Sequence, residues 1–451
     1  MLVVFIPSFV TAAEGGQGHG GDAIFILAML ALLVVLAKAA GALAEKIGQV
    51  SVLGELVLGM ALGALTLFGL NVFEALKADP YVAIFAEFAV ILLLFQTGLE
   101  SDLQRMAKVG LSAFFVAIVG VVCPFLLGTY FVGPWLLPGL TSNAYLFLGA
   151  TLTATSVGIT ARVFKDLKIT QTRSAQIVLG AAVIDDVLGL LILAVVAAII
   201  SAGHVGAGEI VIIAGKALVF LAGSIVVGRF FAPHIGSWLS RVHEGVGMKM
   251  AMALFFCLGY AYLSTLVGLA PIVGAFAAGL LLDPVHFKRF QSPRLVSDIE
   301  DAMRDCRQND VRSSVVKAVD EHRHRHVEDL VEGMGQWFVP LFFVITGLQV
   351  NLAVLGDVKV IMVALGIAVV AIVGKLAAGL VAGKGADWKL VGIGMAPRGE
   401  VGLIFANVGK TLGVVDDKTF AAIVIMIIIT TIFTPVVLPR FVKKAVAISA
   451  T

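Results

Sequence analysis

Two neighbouring acids, Asp185 and Asp186, stand in the run Gly180-Ala-Ala-Val-Ile-Asp-Asp-Val-Leu-Gly189, and no other Asp, Glu, Lys or Arg lies between Arg173 and Glu209. Lys375 is as isolated, in Ile372-Val-Gly-Lys-Leu-Ala-Ala-Gly379. Charged groups in hydrocarbon cost several kcal/mol and are kept mainly where they act. Adjacent residues of a helix point about 100° apart, so the two carboxylates address different partners. One would meet an ion while the other meets a structural partner, and Lys375 is the obvious partner. Burial disfavours the charge on both members of such a pair, so the pair can be traded for a proton on one and a cation on the other.

Two further segments carry polar groups into apolar surroundings. Leu148-Gly-Ala-Thr-Leu-Thr-Ala-Thr-Ser-Val-Gly-Ile-Thr-Ala161 is dense in hydroxyls and glycines. Such a helix breaks inside a membrane, where its free carbonyls and hydroxyls suit a small hard cation. Met395-Ala-Pro-Arg-Gly-Glu-Val-Gly402 is its counterpart. There Pro397 removes a helical hydrogen bond and Gly399 tolerates a distorted backbone. Arg398 and Glu400 are placed to neutralise half-helix ends, negative at a C-terminus and positive at an N-terminus. Glu55 and Glu87 are further acids within apolar runs, while Lys38 has a long stem that snorkels to the interface.

The elements that must hold these groups follow from composition. Of 451 residues, 59% are apolar and 14% are charged, with a mean hydropathy of +1.03. A soluble chain carries about 25% charged residues, so this is a polytopic membrane protein. Continuous apolar runs exclude a β-barrel, which alternates. A net charge of +2 leaves no electrostatic footprint for nucleic acid. Cys123, Cys257 and Cys306 are too dispersed for a disulfide framework.

Thirteen spans are expected: Asp22–Leu43, Val52–Leu70, Val82–Leu99, Val109–Val132, Tyr145–Ala161, Ala175–Ile200, Ile210–Phe230, Met248–Val267, Pro271–Leu282, Trp337–Val350, Val358–Ala382, Leu390–Val408 and Phe420–Val442. If the seventh is a linker, two sets of six remain, with a broken span fifth in each. An odd linker gives the sets opposite topology, the inverted repeat of many secondary transporters. The expected division is an N-terminal extracytoplasmic segment (1–21), a first repeat (22–200) with its broken helix at 145–161, and a linker helix with an inner loop (201–247). A second repeat then starts at 248–283, is interrupted by a charged cytoplasmic loop (284–336), resumes at 337–444 with its broken helix at 390–408, and ends in a tail (445–451).

One side of this arrangement holds few cations, namely Lys77, Lys216, Lys359, Lys410 and Lys418, and the other side holds nearly all the rest. The bias places the N-terminus outside and the C-terminus in the cytoplasm. No organellar address is readable, so the plasma (inner) membrane is the default and an internal membrane such as a thylakoid stays open. Met1–Ala13 is apolar without a basic start, and reads as a signal peptide or as a short extracytoplasmic lid. His322, His324 and His326 in the charged loop alternate with Arg323 and Arg325. A metal site, a pH-responsive gate and a solvated inner face are the three readings, the last being the simplest.

The ordered motifs Val52-Leu-Gly-Glu-Leu-Val-Leu-Gly59, Glu87-Phe-Ala-Val-Ile-Leu-Leu-Leu-Phe-Gln-Thr-Gly-Leu-Glu100, Ala154-Thr-Ser-Val-Gly-Ile-Thr-Ala-Arg162, Asp185-Asp186, Pro271-Ile-Val-Gly-Ala-Phe-Ala-Ala-Gly279, Lys375 and Pro397-Arg-Gly-Glu-Val-Gly402 resemble the bacterial sodium/proton antiporters of the cation:proton antiporter-2 family. The resemblance implies an all-α homodimer with a dimer domain and a core domain holding two crossed discontinuous helices. It implies that Asp186 is the shared cation and proton carrier, binding Na⁺, and that Asp185 pairs with Lys375. Thr155 and Ser156 fall on the crossover as further cation contacts. It also implies electrogenic exchange by alternating access, with no cofactor and no enzymatic activity, on transported Na⁺ (or Li⁺) and H⁺. The core is also similar to glutathione-gated potassium efflux systems, which usually carry a C-terminal nucleotide-binding domain that is not found before Thr451. K⁺/H⁺ exchange is the near alternative. A cation channel fits paired acid and Lys groups less well, and an intramembrane aspartyl protease needs facing carboxylates that helix neighbours do not supply.

Overall fold

A computed structural model describes residues 19–69, 73, 76–77, 79–100, 110–170, 172–202, 207–282, 290, 299 and 309–449. The expectations for Met1–Ala13 and Cys306, and for most of 284–308, lie outside these residues. Every regular element among the described residues is helical. The longer α-helices, in chain order, are α1 (His19–Lys46), α2 (Ser51–Ala64), α3 (Pro80–Glu100), α4 (Leu111–Leu126), α5 (Ser142–Thr151), α6 (Val157–Asp166), α7 (Arg173–Ala202) and α8 (Ala207–Val242). There follow α9 (Val246–Leu266), α10 (Pro271–Leu281), α11 (Asn309–Leu348), α12 (Val358–Gly379), α13 (Trp388–Gly394), α14 (Glu400–Thr411) and α15 (Asp417–Ser449).

Among the described residues, eight helices are long and apolar enough to cross a membrane: those containing Ile24–Lys46, Pro80–Glu100, Leu111–Leu136, Arg173–Ile200, Val246–Leu266, Val327–Leu348, Val358–Gly379 and Asp417–Val442. A ninth, in α8, bends by 42° between Gly228 and Phe230. Pro233 explains the place of the bend, since it has no N–H for the carbonyl of Arg229 four residues earlier. α2 and α10 are shorter apolar helices. The two remaining expected spans are each a pair of half-helices, α5 with α6 and α13 with α14.

One boundary differs from the sequence reading. The segment expected as a charged loop to Gln336 is from Asn309 onward part of the 40-residue helix α11. Its apolar span begins at Val327 rather than Trp337. The reason is that Val327 and Val331 are buried while Glu332 is exposed, so an amphipathic turn precedes the apolar one without a break. His322, His324 and His326 lie on this helix.

The chain divides into two compact units. One comprises residues 1–88, 104–204 and 338–451, and the other 89–103 and 205–337. In the smaller unit, α10 packs against α8 and α9 through small residues. A Cβ on Gly274 would meet the Tyr260 carbonyl oxygen, and Gly279 crosses Gly98 backbone to backbone. The larger unit repeats that crossing, with Gly59 of α2 against Gly347 of α11. The residues involved are Val-Leu-Gly-Glu-Leu-Val-Leu-Gly59 with Thr346-Gly-Leu348 in one case, and Ile-Val-Gly-Ala-Phe-Ala-Ala-Gly279 with Thr97-Gly-Leu99 in the other. Small-residue contacts of this kind let backbones approach where lipid offers no hydrophobic drive.

Candidate functional site

The site lies in the larger unit, where four half-helix ends meet. α5 begins on a Thr141 side chain that accepts from Ala144 N–H, and α13 begins on Asp387, which accepts from Lys389 and Leu390 N–H. α5 stops at Thr151 and α6 starts at Val157; α13 stops at Gly394 and α14 starts at Glu400. The two unwound stretches cross and bond to each other. Ser156 N–H donates to the Pro397 carbonyl at 3.0 Å. The Thr155 hydroxyl donates to the Met395 carbonyl at 3.3 Å, and Thr160 Oγ1 donates to Gly394 at 2.7 Å.

Two charges of opposite sign sort the ends by polarity. Arg398 is fully buried. Its guanidinium donates to the carbonyl oxygens of Leu152 at 2.7 Å, Met395 and Ala396 at 3.4 Å, and Ala371 at 3.5 Å. Leu152 and Met395 are the C-caps of α5 and α13, so one cation faces both negative helix ends. Glu400 is the first residue of α14, and its carboxylate accepts from Ser156 Oγ at 3.1 and 3.2 Å, immediately before α6. One anion thus serves both positive ends. The roles expected for Arg398 and Glu400 each extend to both breaks rather than to the nearer one.

α7 passes this crossover with both acids buried, Asp185 at 0% and Asp186 at 6% exposure. Lys375 of α12, also at 0%, donates to Asp185 Oδ1 at 2.8 Å. Gly120 of α4 packs beside this ammonium, where a Cβ would stand 3.4 Å from Lys375 Nζ, in van der Waals contact. The second carboxylate is differently placed. Asp186 Oδ1 is buried with no hydrogen-bond partner among the described residues, as is Asp185 Oδ2. The charges acting on Asp186 are Asp185, Glu400 and Lys375, two of them negative. A buried anionic oxygen so surrounded calls for a proton or a small cation.

Residues 8–303 and 314–444 match the family described as sodium/hydrogen exchanger, transmembrane. The chain belongs to this family. It is 34% identical over 372 residues to the high-affinity Na⁺/H⁺ antiporter NhaS3 of Synechocystis, covering 81% of this chain and 72% of that one. It is 33% identical over 416 residues to the Na⁺/H⁺-K⁺ antiporter GerN of Bacillus cereus, covering 90% and 93%. The sodium/proton antiporter MjNhaP1 of Methanocaldococcus jannaschii, solved at pH 8, shares the fold at a TM-score of 0.61 and 17% identity, over 92% of this chain and 96% of that one.

Within this exchanger, Thr155 and Ser156 stand on the crossover as expected, but no hydrogen bond joins either hydroxyl to Asp186 among the described residues; their protons tie the two breaks together. Glu55 and Glu87 stand apart from the crossover. Glu55 is buried on α2, next to Gly41 of α1, with Lys38 and Glu45 as its charged neighbours. Glu87 is exposed on α3. Two hydroxyls escaped the sequence reading. Thr431 and Thr434 of α15 donate to the carbonyls of Arg398 in the second break and of Ile393 in the last turn of α13. Their sequence signal is a Thr-rich turn, Thr430-Thr-Ile-Phe-Thr434, in an otherwise apolar helix.

Proposed function

We propose that the chain exchanges Na⁺ (or Li⁺) for H⁺ across a membrane, with Asp186 as the carboxylate that holds either ion in turn. The observation that carries this is the asymmetry of the acid pair: Lys375 bonds one oxygen of Asp185 and none of Asp186, whose buried Oδ1 has no hydrogen-bond partner among the described residues. A single carboxylate that binds a proton and a cation exclusively couples the two by competition. The hydroxyl oxygens of Thr155 and Ser156 keep lone pairs for a cation beside it. When the cation arrives, its charge competes with Lys375 for the acid pair, and a proton released from Lys375 together with one from Asp186 gives more than one H⁺ per Na⁺. Exchange is then electrogenic, by alternating access of a dimer. The membrane is the plasma membrane or an internal one such as a thylakoid, with the N-terminus outside and the C-terminus cytoplasmic. The similarity to NhaS3 and GerN supports Na⁺ as the substrate, and the K⁺ in GerN's name keeps K⁺/H⁺ exchange as the second reading.

Proteoliposomes loaded with a pH dye test the proposal, with Na⁺, Li⁺ and K⁺ added in turn. Proton flux that depends on Na⁺ or Li⁺ and is weaker with K⁺ is expected. Flux without any added cation would point to a channel, and a stronger response to K⁺ would replace the first reading by the second.

A further inference from the structure

α15 carries two internal prolines, Pro435 and Pro439, spaced four apart and four beyond Thr431. That spacing puts all three on one helix face. A proline offers no N–H to the carbonyl four residues before it. Pro435 therefore frees the carbonyl of Thr431 from its helical partner, and Pro439 frees that of Pro435. All three residues line one cavity of about 200 Å³, with Gly48, Gln49 and Val50 from the turn between α1 and α2, Ile159 and Val163 from α6, and Leu167 just after it. Among the described residues, no side chain donates to either freed carbonyl.

The cavity also adjoins the crossover. The Thr431 hydroxyl donates to the Arg398 carbonyl. Ile159 Cδ1 lies with Ser156 around Gly399, at 3.3 Å from where a Cβ would be. Thus Thr431 and Ile159 of the cavity wall both border the second break, Ile159 beside Gly399, which Ser156 also approaches. The remaining wall is apolar and polar groups are few, as in sites where backbone oxygens replace part of an ion's hydration shell.

We infer that this cavity is a staging site for a partly dehydrated monovalent cation, held by the backbone carbonyl oxygens of Thr431 and Pro435 with the Gln49 side-chain oxygen, before it passes Ile159 to the crossover. The site is distinct from Asp186 and rests on the cation-exchange reading above. It confers a property Asp186 does not: an affinity term on one membrane face only, the face of the α1–α2 turn.

The test compares Na⁺-driven proton flux in right-side-out and everted vesicles. The double variant Pro435→Ala/Pro439→Ala restores the helical N–H groups and removes both carbonyls from the cavity. Its KM for Na⁺ should rise about fivefold on the cavity face, the scale of a lost neutral oxygen contact, with KM on the opposite face unchanged. Gln49→Leu leaves α15 intact and should raise the same KM by a smaller factor, so it decides the matter if the double variant does not fold. An unchanged cavity-face KM in Gln49→Leu and in a folded double variant overturns the inference, as does an equal rise on both faces. Absence of Na⁺-dependent flux in the unaltered protein would instead defeat the exchange reading.

Discussion

The two broken spans reach the same shape by different chemistry. The first, Leu152–Ser156, contains no charge and no proline. Its threonines satisfy carbonyls locally, Thr151 to Phe147 at 2.9 Å and Thr153 to Ala150 at 2.7 Å, and then reach across through Thr155 and Thr160. The second, Met395–Gly399, breaks because Pro397 has no N–H and Gly399 adopts φ −142°, ψ −134°; both charges come from here, Arg398 within the break and Glu400 immediately after it. In the first break hydroxyls bond most of the carbonyls, and Arg398 of the second supplies the donor to Leu152. Charges are needed where half-helix dipoles of four ends converge, and placing both in one break lets that break organise the other. The second break is therefore predicted to dominate stability and the first to tune it.

Arg398→Ala is the largest test of this ranking. It takes the guanidinium away from four carbonyls, of which Met395 keeps the Thr155 hydroxyl, and leaves two helix C-termini unneutralised, so a loss of about 3–5 kcal/mol is expected, read as a collapse of the thermal unfolding midpoint in detergent. A midpoint within a degree or two of the parent would break the comparison. Gly399→Ala comes next. A Cβ would stand 2.8 Å from both Cβ and Oγ of Ser156, so the two breaks are pushed apart. A loss of about 1–3 kcal/mol is expected, together with slower exchange in vesicles. Thr155→Val is the smallest change. It removes one neutral hydrogen bond at the crossing, worth about 1 kcal/mol. If it equalled Arg398→Ala, the first break would be as important as the second.

Lys375→Ala separates charge from structure. The ammonium is the only donor to Asp185 among the described residues, and its loss should remove the extra proton. Exchange that survives but no longer generates current on a solid-supported membrane is the expected result. Retained transport current would remove Lys375 from the coupling. The pH dependence has a definite sign. If Asp186 is the shared carrier proposed above, a proton on it excludes the cation, so the KM for Na⁺ should rise as pH falls, with little change in the maximal rate at saturating Na⁺.

Much of this site was legible because charges are rare in the apolar runs. Asp185, Asp186, Lys375, Arg398 and Glu400 announce themselves by cost alone. Which acid pairs with Lys375 was legible only through resemblance, because a 100° offset says that partners differ and not which is which. Hydroxyls are harder to read. Thr430 bonds to Met426 within its own helix, as most helical threonines do, whereas its neighbour Thr431 reaches Arg398 in another element. Nothing local distinguishes them except the direction each faces. The α11 span does extend into the charged segment, as its weak sequence boundary allows, but where it starts is hard to read for a related reason: a charged amphipathic turn and a loop share a composition, and only packing of Val327 and Val331 separates them.

The central claim is that Asp186, rather than Asp185, carries both ions. The most direct measurement is Na⁺-dependent proton flux in proteoliposomes for Asp186→Asn beside Asp185→Asn, at matched insertion. Asp186→Asn should abolish coupled flux, while Asp185→Asn should retain Na⁺-dependent exchange at a reduced rate. Cation-dependent proton exchange surviving in Asp186→Asn would contradict the account.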